Sequence, residues 1–126
     1  MANGKFVWHT TPTGKYRFNL VAGNGQVIAT SENYASKESC MTGIESVRKN
    51  AGSHVEDQTV DGYKEVSNPK YEIYLDKAKE YRFRLKARNG ENIVASEGYT
   101  TKASCVNGIE SVKKHAPGAA LEEAKK

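Results

Sequence analysis

Residues 15–51 read KYRFNLVAGNGQVIATSENYASKESCMTGIESVRKNA, and residues 80–116 read EYRFRLKARNGENIVASEGYTTKASCVNGIESVKKHA. The two stretches belong to a longer repeat. A shift of 65 residues aligns residues 5–51 with residues 70–116 without a gap, and 22 of the 47 aligned positions are identical. A gapless match of this density indicates a tandem duplication. The fold is therefore decided by one unit that occurs twice.

Each unit begins with a predicted meander of three strands. In the second strand of each meander apolar and polar side chains alternate strictly, which is typical of a strand with one buried face. The pairs Asn24-Gly25 and Asn89-Gly90 follow these strands and predict tight hairpin turns. The six predicted strands are residues 5–10, 15–22, 26–30, 70–75, 81–88 and 91–95.

A helix is predicted after each meander. Ser36 and Thr101 are suitable N-cap residues. Spacings of four, three and four residues then place apolar side chains in one stripe along each helix. Gly43 and Gly108 lie on these stripes, so we expect each helix to approach the sheet closely there. The stripes are Cys40, Ile44, Val47 and Ala51 in the first helix and Cys105, Ile109, Val112 and Ala116 in the second.

The predicted unit is completed by a last strand, at residues 54–60 in repeat 1 and, more weakly, at 119–123 in repeat 2. Repeat 1 spans about residues 5–60 and repeat 2 about 70–123. A three-stranded sheet with one helix buries too little apolar surface to be stable alone. We therefore expect one α+β domain, residues 1–126, in which two β(3)-α-β repeats share a sheet and a core. The expected state is a monomer with internal pseudo-twofold symmetry.

The repeated residues carry a resemblance to a known family. The run YRFxLxAxNGxxI, followed by SExYxxKxSCxxGIESVxK, resembles the YegP-like family of small bacterial proteins of uncharacterised function. The resemblance implies one antiparallel sheet with exchanged C-terminal strands and both helices on one face. It implies no activity, cofactor or catalytic residue. This chain departs from the family in its last segment, GAALEEAKK, so the final strand is expected to be short or frayed.

Composition and charge exclude several classes of protein. The chain has 19 basic and 15 acidic residues, and the basic excess lies in the two repeats, whereas the connector at residues 52–69 is acidic. No apolar run approaches the roughly 20 residues of a membrane span. The N-terminus, MANGKFVWHT, lacks the pattern of a signal peptide. A cytoplasmic protein without membrane contact is expected.

The cysteines and histidines indicate neither a metal nor a cofactor site. Cys40 and Cys105 lie on the apolar stripes and are expected to be buried free thiols, with a disulfide between them or a reactive thiol as the alternatives. His9, His54 and His115 stand alone, without a second ligand at metal-binding spacing. The Asn-Gly pairs do not open helices, so they do not predict a phosphate-binding loop.

Ser31, Glu32, Ser96 and Glu97 precede the helices in equivalent positions. Their expected role is to cap strand ends and turns. Two carboxylates can also act as a general acid and base if they converge, which here requires both glutamates to lie near the pseudo-twofold axis. The sequence therefore favours a protein that is not an enzyme, with a weak enzyme acting between the repeats as an alternative.

A row of basic residues is the most suggestive feature for function. Arginine beside aromatic rings on an open sheet is suited to single-stranded nucleic acid or another polyanion. Polar residues also line the solvated face of most antiparallel sheets, and Glu72, Glu80 and Glu91 are near enough in sequence to form cross-strand pairs. We therefore predict a small soluble binding module for an unidentified partner or ligand, with polyanion binding as an alternative. The candidate residues are Lys15, Arg17, Arg82, Arg84, Lys86 and Arg88.

Overall fold

The computed structural model describes residues 4–124, which form eight strands and two α-helices. The order of elements repeats once along the chain, as the duplication predicts. A short 3-10 turn, Ala116–Gly118, precedes the last strand. The elements are β1 (Lys5–Thr10), β2 (Tyr16–Val21), β3 (Val27–Ser31), α1 (Lys37–Asn50), β4 (His54–Asp57), β5 (Lys70–Leu75), β6 (Tyr81–Lys86), β7 (Asn92–Ala95), α2 (Lys102–His115) and β8 (Ala120–Glu123).

All eight strands lie in one sheet, in the order β4-β5-β6-β7-β3-β2-β1-β8. The two repeats meet at its centre, where β3 pairs antiparallel with β7 and Thr30 faces Ala95. The last strand of each repeat pairs with the first strand of the other: β4 lies beside β5, and β8 lies beside β1. The predicted fold class and strand exchange are therefore confirmed.

The sheet is mixed rather than wholly antiparallel, because the two exchanged strands run parallel to their partners. Parallel neighbours need a connection of about a dozen residues that returns the chain to the same end of the sheet. Residues 58–69 supply that connection between β4 and β5. Alternation of apolar and polar residues fixes the buried face of a strand but not its direction, so the sequence pattern did not specify this feature.

The core lies between the sheet and the two helices and is shared by both repeats. Helix α1 packs against β2 of its own repeat and β7 of the other, and α2 packs against β6 and β3. The predicted stripes are confirmed, since each helix buries its cysteine, glycine, isoleucine and valine. The largest fully buried apolar side chains come from both repeats: Tyr71, Phe6, Phe18, Phe83, Leu20, Ile44, Ile73, Leu85 and Ile109.

The helices begin and pack as predicted. The Ser36 Oγ accepts a hydrogen bond from the Ser39 N–H at 3.1 Å, and the Thr101 Oγ1 accepts one from the Ser104 N–H at 3.1 Å. A Cβ on Gly108 would lie 2.9 Å from Cε2 of the buried Phe83, so this glycine permits the close approach of α2 to the sheet. No helix in residues 4–124 is long and apolar enough to cross a membrane.

Candidate functional site

A groove of about 430 Å³ crosses the centre of the sheet on the face opposite the helices. It lies where β3 meets β7, so residues of one repeat face their equivalents from the other. We call it the dyad groove. Its lining consists of four pairs of equivalent residues and one asparagine: Arg17 and Arg82, Thr30 and Ala95, Ser31 and Ser96, Glu32 and Glu97, and Asn19.

The two serines of the dyad groove hold its backbone. The Ser31 Oγ accepts a hydrogen bond from the Phe18 N–H at 2.9 Å and donates one to the carbonyl oxygen of Glu32 at 2.8 Å. Ser96 makes the same two contacts in repeat 2, at 3.0 and 2.8 Å. Both hydroxyls are therefore committed to the strand ends, as the sequence predicts, and neither is free to act as a nucleophile.

The Arg82 guanidinium is hydrogen-bonded to two acceptors of the protein itself. Its Nε donates to Oδ2 of Asp76 at 2.6 Å, and its Nη1 donates to the carbonyl oxygen of Ser96 at 3.2 Å. The hydrogen bond between Arg82 and Asp76 lowers the pKa of the Asp76 carboxyl and raises the pKa of the Arg82 guanidinium. The charge of Arg82 is thus balanced before any ligand arrives.

Arg17 occupies the equivalent position in repeat 1 without such a partner. Its Nε is buried, and no hydrogen-bond acceptor for it exists among residues 4–124. Its cross-strand neighbour on β1 is His9. Burial and the charge of Arg17 lower the pKa of His9, so this imidazole is biased toward its neutral form. Buried polar groups in proteins are nearly always hydrogen-bonded, so Arg17 is the unusual donor of the site.

The other predicted basic residues are placed differently. Arg84 donates from Nε to Glu72 Oε1 at 2.6 Å, and the Nζ of Lys86 lies 4.0 Å from the same oxygen. Lys15 and Arg88 are exposed and lie just outside the strands. The cross-strand role expected for Glu72 is present. Glu80 and Glu91 form no ion pair among the described residues, and Asp76, which the sequence reasoning did not single out, is the partner of Arg82.

A buried charge cluster lies beside this row, under the connector. The Nζ of Lys70 donates to Glu56 Oε1 at 2.7 Å and lies 3.2 Å from Glu72 Oε2. Glu56, only 2% exposed, also accepts hydrogen bonds from the Val66 N–H at 2.7 Å and the Gln58 side chain at 2.6 Å. The cluster therefore fastens the connector to the sheet. Periodicity gave no signal for it, because the cluster depends on the parallel register of β4 and β5.

Glu32 and Glu97 line the same groove but do not converge as an acid-base pair requires. In the antiparallel register that pairs Thr30 with Ala95, each glutamate lies two residues further along in the opposite direction, so the two occupy opposite ends of the groove. Both residues are exposed. General acids and bases in enzymes work in sites that exclude water and shift their pKa values. The geometry therefore keeps the two carboxylates apart and leaves them in solvent at the rim.

Two larger clefts lie on the helix face and are related by the same pseudo-twofold symmetry. Each is formed by the hairpin of one repeat and the helix of the other, with volumes of about 520 and 450 Å³. Tyr34 and Tyr99 line equivalent positions in them, against Gly43 and Gly108. Because turn and helix-packing residues form these walls, we place the candidate site in the dyad groove.

The cysteines and histidines form no reactive centre in the described part of the chain. Cys40 and Cys105 are free and buried, as predicted. Burial, together with the charge of Asp57, raises the pKa of the Cys105 thiol to about 11, which disfavours the reactive thiolate. Among residues 4–124, no group of three or more histidine, cysteine, aspartate or glutamate side chains is arranged to hold a metal ion.

Comparison with known proteins places the chain in a family. The model of the family described as "Domain of unknown function (DUF1508)" matches residues 13–57 and 76–123, one segment in each repeat. The chain belongs to this family. It is 38% identical over 121 residues to the "UPF0339 protein in ptx operon 5'region" of Stutzerimonas stutzeri, with 96% of each chain covered. A UPF0339 protein of Bordetella pertussis is 40% identical over 121 residues, again with 96% of each chain covered.

Solved structures share the fold. The solution structure of YegP from E. coli matches with a TM-score of 0.80 and 33% identity, covering 98% of this chain and 94% of that one. A UPF0339 protein from Shewanella oneidensis matches with a TM-score of 0.78 and 30% identity, covering 97% and 92%. The predicted resemblance to YegP-like proteins is confirmed.

A shorter relative shows that one repeat also occurs alone. A UPF0339 protein of Treponema denticola is 59% identical over 54 residues, which cover 43% of this chain but 93% of that protein. A chain of about one repeat therefore occurs among the relatives of this protein.

Proposed function

We propose that the protein is a binding module without enzymatic activity and that the dyad groove holds its ligand. The observation that carries this proposal is the convergence of equivalent side chains from both repeats on one groove that contains an arginine with a buried, unpartnered Nε. Its volume, about 430 Å³, is comparable to those of the two helix-face clefts, so the choice of this groove rests on its arginine and not on its size. An arginine that lacks an internal acceptor favours a ligand with an anionic group.

Two finer points belong to the same proposal. The site is complete within one chain, because both halves of the dyad groove come from the two repeats, so we propose that the protein acts as a monomer and as one domain. Two buried free thiols fit a reducing compartment, which supports a cytoplasmic location.

Polyanion binding along the whole basic row has less support. Arg82, Arg84 and Lys86 already face acidic side chains at 2.6, 2.6 and 4.0 Å. A nucleic acid would have to displace these partners to neutralise its own phosphates, so the gain per contact would be small. The remaining cations of the row are too few and too scattered to follow a phosphate backbone.

An enzyme acting between the repeats is the second candidate, and the observation that favours it is that Glu32 and Glu97 line one groove, at its opposite ends. Their exposure and the structural use of Ser31 and Ser96 argue against catalysis. In a binding site the same two carboxylates would serve as acceptors at the rim. A binding role therefore explains the arrangement of more of the groove's residues than a catalytic role does.

The proposal is tested by titrating the ¹⁵N-labelled chain with inorganic phosphate and with a twelve-residue oligothymidylate, and by following backbone amides by NMR. Phosphate should shift amides of the dyad groove saturably. Arg17→Gln should abolish these shifts, whereas Lys15→Gln, which removes an exposed charge just before the same strand, should preserve them.

Two results would contradict the proposal. One is a set of phosphate shifts that do not concentrate in the dyad groove. The other is an oligothymidylate response that follows Arg84, Lys86 and Arg88 and weakens steeply with salt, which would support the polyanion alternative.

A further inference from the structure

The turns after β1 and after β5 are equivalent in position but differ at every residue from 11–15 to 76–80, and one of these differences lies at the residue that pairs with Arg82. Thr11 in repeat 1 takes the place of Asp76 in repeat 2. Both residues organise their turn in the same way. The Thr11 Oγ1 accepts a hydrogen bond from the Lys15 N–H at 3.0 Å, and the Asp76 Oδ1 accepts one from the Glu80 N–H at 2.9 Å.

Asp76 has a second oxygen, which threonine lacks. That oxygen, Oδ2, accepts the hydrogen bond from Arg82 Nε at 2.6 Å. At the equivalent place in repeat 1 the Thr11 side chain offers only the hydroxyl that already serves the turn, and Arg17 Nε has no acceptor within residues 4–124. The two repeats thus share the arginine, but only repeat 2 has a counter-ion for it among the described residues.

We infer that the ligand of the dyad groove presents a carboxylate to the guanidinium of Arg17 from the groove side, and so balances the charge that Asp76 balances at Arg82. This inference rests on the function proposed above and names the chemical class of the ligand, a molecule that carries a free carboxylate. Repeat 2 already contains such a contact, because the arginine at the equivalent position, Arg82, pairs with the carboxylate of Asp76.

The surroundings of Arg17 suit this chemistry. A guanidinium binds the two oxygens of a carboxylate in a planar, charge-assisted arrangement. Asn19 and Thr30 line the groove beside Arg17 and can bind the rest of a polar ligand, and the exposed Glu32 carboxylate at the rim can accept hydrogen bonds from its donor groups. The neighbouring His9 is biased toward its neutral form, so it adds a polar group without requiring a second anion.

The test replaces the ligand's carboxylate by one built into the chain. Thr11→Asp should supply Arg17 with an internal counter-ion, so its Nε–H resonance in the free protein should move toward that of Arg82. Acetate, the probe, should then bind at Arg17 about tenfold more weakly or worse, the loss expected for one charge-assisted hydrogen bond. Thr13→Asp, which adds the same charge to the same turn at an exposed position, should leave acetate binding within about twofold of the parent.

The reciprocal variant keeps the inference falsifiable if Thr11→Asp does not fold. Asp76→Asn retains an oxygen to organise the turn and removes the carboxylate from Arg82. Acetate should then shift the Nε–H resonances of both arginines, where it shifts only that of Arg17 in the parent chain.

The inference is overturned if acetate shifts neither arginine in the parent and in Asp76→Asn. It is also overturned if Thr11→Asp moves the Arg17 resonance as expected while acetate binding is unchanged. In either case, saturable binding of inorganic phosphate in the dyad groove would leave the proposed function standing, so the two failures are distinguishable.

Discussion

The contribution of an ion pair to the stability of this protein depends on how deeply the pair is buried. Glu56 faces Glu72 across β4 and β5, and Glu122 faces Val7, the equivalent of Glu72, across β8 and β1. Both glutamates pair with the first lysine of the neighbouring strand, at 2.7 Å in one repeat and 3.3 Å in the other. The Glu56 side chain is 1% exposed under the connector, whereas that of Glu122 is 55% exposed.

This contrast predicts unequal effects of two matched substitutions. Glu56→Gln should lower the free energy of unfolding at pH 7 by about 3–5 kcal/mol, because it leaves Lys70 buried without its main partner. Glu122→Gln should change it by about 0–1 kcal/mol, as for an exposed pair. Urea unfolding of both variants and the parent measures the difference. Equal losses would show that the connector does not shield the Glu56 pair.

The ion pair of Glu56 and Lys70 also makes the free energy of unfolding depend on pH. Burial would raise the pKa of Glu56, but hydrogen bonds from Lys70, Gln58 and the Val66 N–H outweigh it and lower the pKa from 4.5 to about 2. The folded chain therefore holds this proton less tightly than the unfolded chain does. The contribution of Glu56 is complete above pH 4.5 and is lost as the pH falls toward 2. The difference between parent and Glu56→Gln should accordingly shrink over that range.

At the scale of single residues, the sequence predicted which residues cap helices, are buried or form ion pairs better than it predicted their partners. The N-caps Ser36 and Thr101, the buried cysteines and the pairing role of Glu72 could be predicted, because each follows from local spacing or from a neighbouring strand. The pairing of Arg82 with Asp76 could not, since it depends on how the turn after β5 orients the carboxylate.

At the scale of elements, the meanders and helices follow from periodicity, and the exchanged strands do not. The positive φ angles of Gly25 and Gly90, 88° and 86°, are those that the predicted Asn-Gly turns require. Strand β4 ends at Asp57, short of the predicted residue 60, because the chain leaves the ladder there to form the connector. The pairing direction of β4 and β8 depends on that connector and on the turn before β8. The alternation of apolar and polar residues does not predict this direction.

The two exchanged strands should differ in stability. All four residues of β8 are exposed, whereas β4 contains the buried Glu56. Each ladder is extended by an equivalent hydrogen bond, from the Gln58 N–H to the Ile73 carbonyl oxygen at 2.9 Å and from the Ala124 N–H to the Trp8 carbonyl oxygen at 2.8 Å, so burial is what distinguishes the two strands. Amides in β8 should therefore exchange with deuterium faster than those in β4. Native-state hydrogen exchange followed by NMR measures this. Equal protection would contradict the expected fraying of the last strand.

At the scale of the whole molecule, the central claim is that the two repeats build one core and one site. Each helix packs against strands from both repeats, and the dyad groove exists only where β3 meets β7. The duplication predicted a pseudo-twofold axis and raised the convergence of Glu32 and Glu97 as a question. The register of the central strand pair, in which Thr30 faces Ala95, places the two glutamates at opposite ends of the groove, and the sequence pattern does not predict that register.

The mass of an isolated repeat in solution tests this claim most directly. Residues 1–60, expressed alone, lose β7, the partner of β3 from the other repeat, and β8, which covers the edge of β1. Sedimentation equilibrium with a parallel thermal unfolding curve should find an unfolded chain or a folded dimer that rebuilds the eight-stranded sheet, as the single-repeat relative would need to do. A folded monomer about as stable as the full chain would contradict the shared core and, with it, a site on the pseudo-twofold axis.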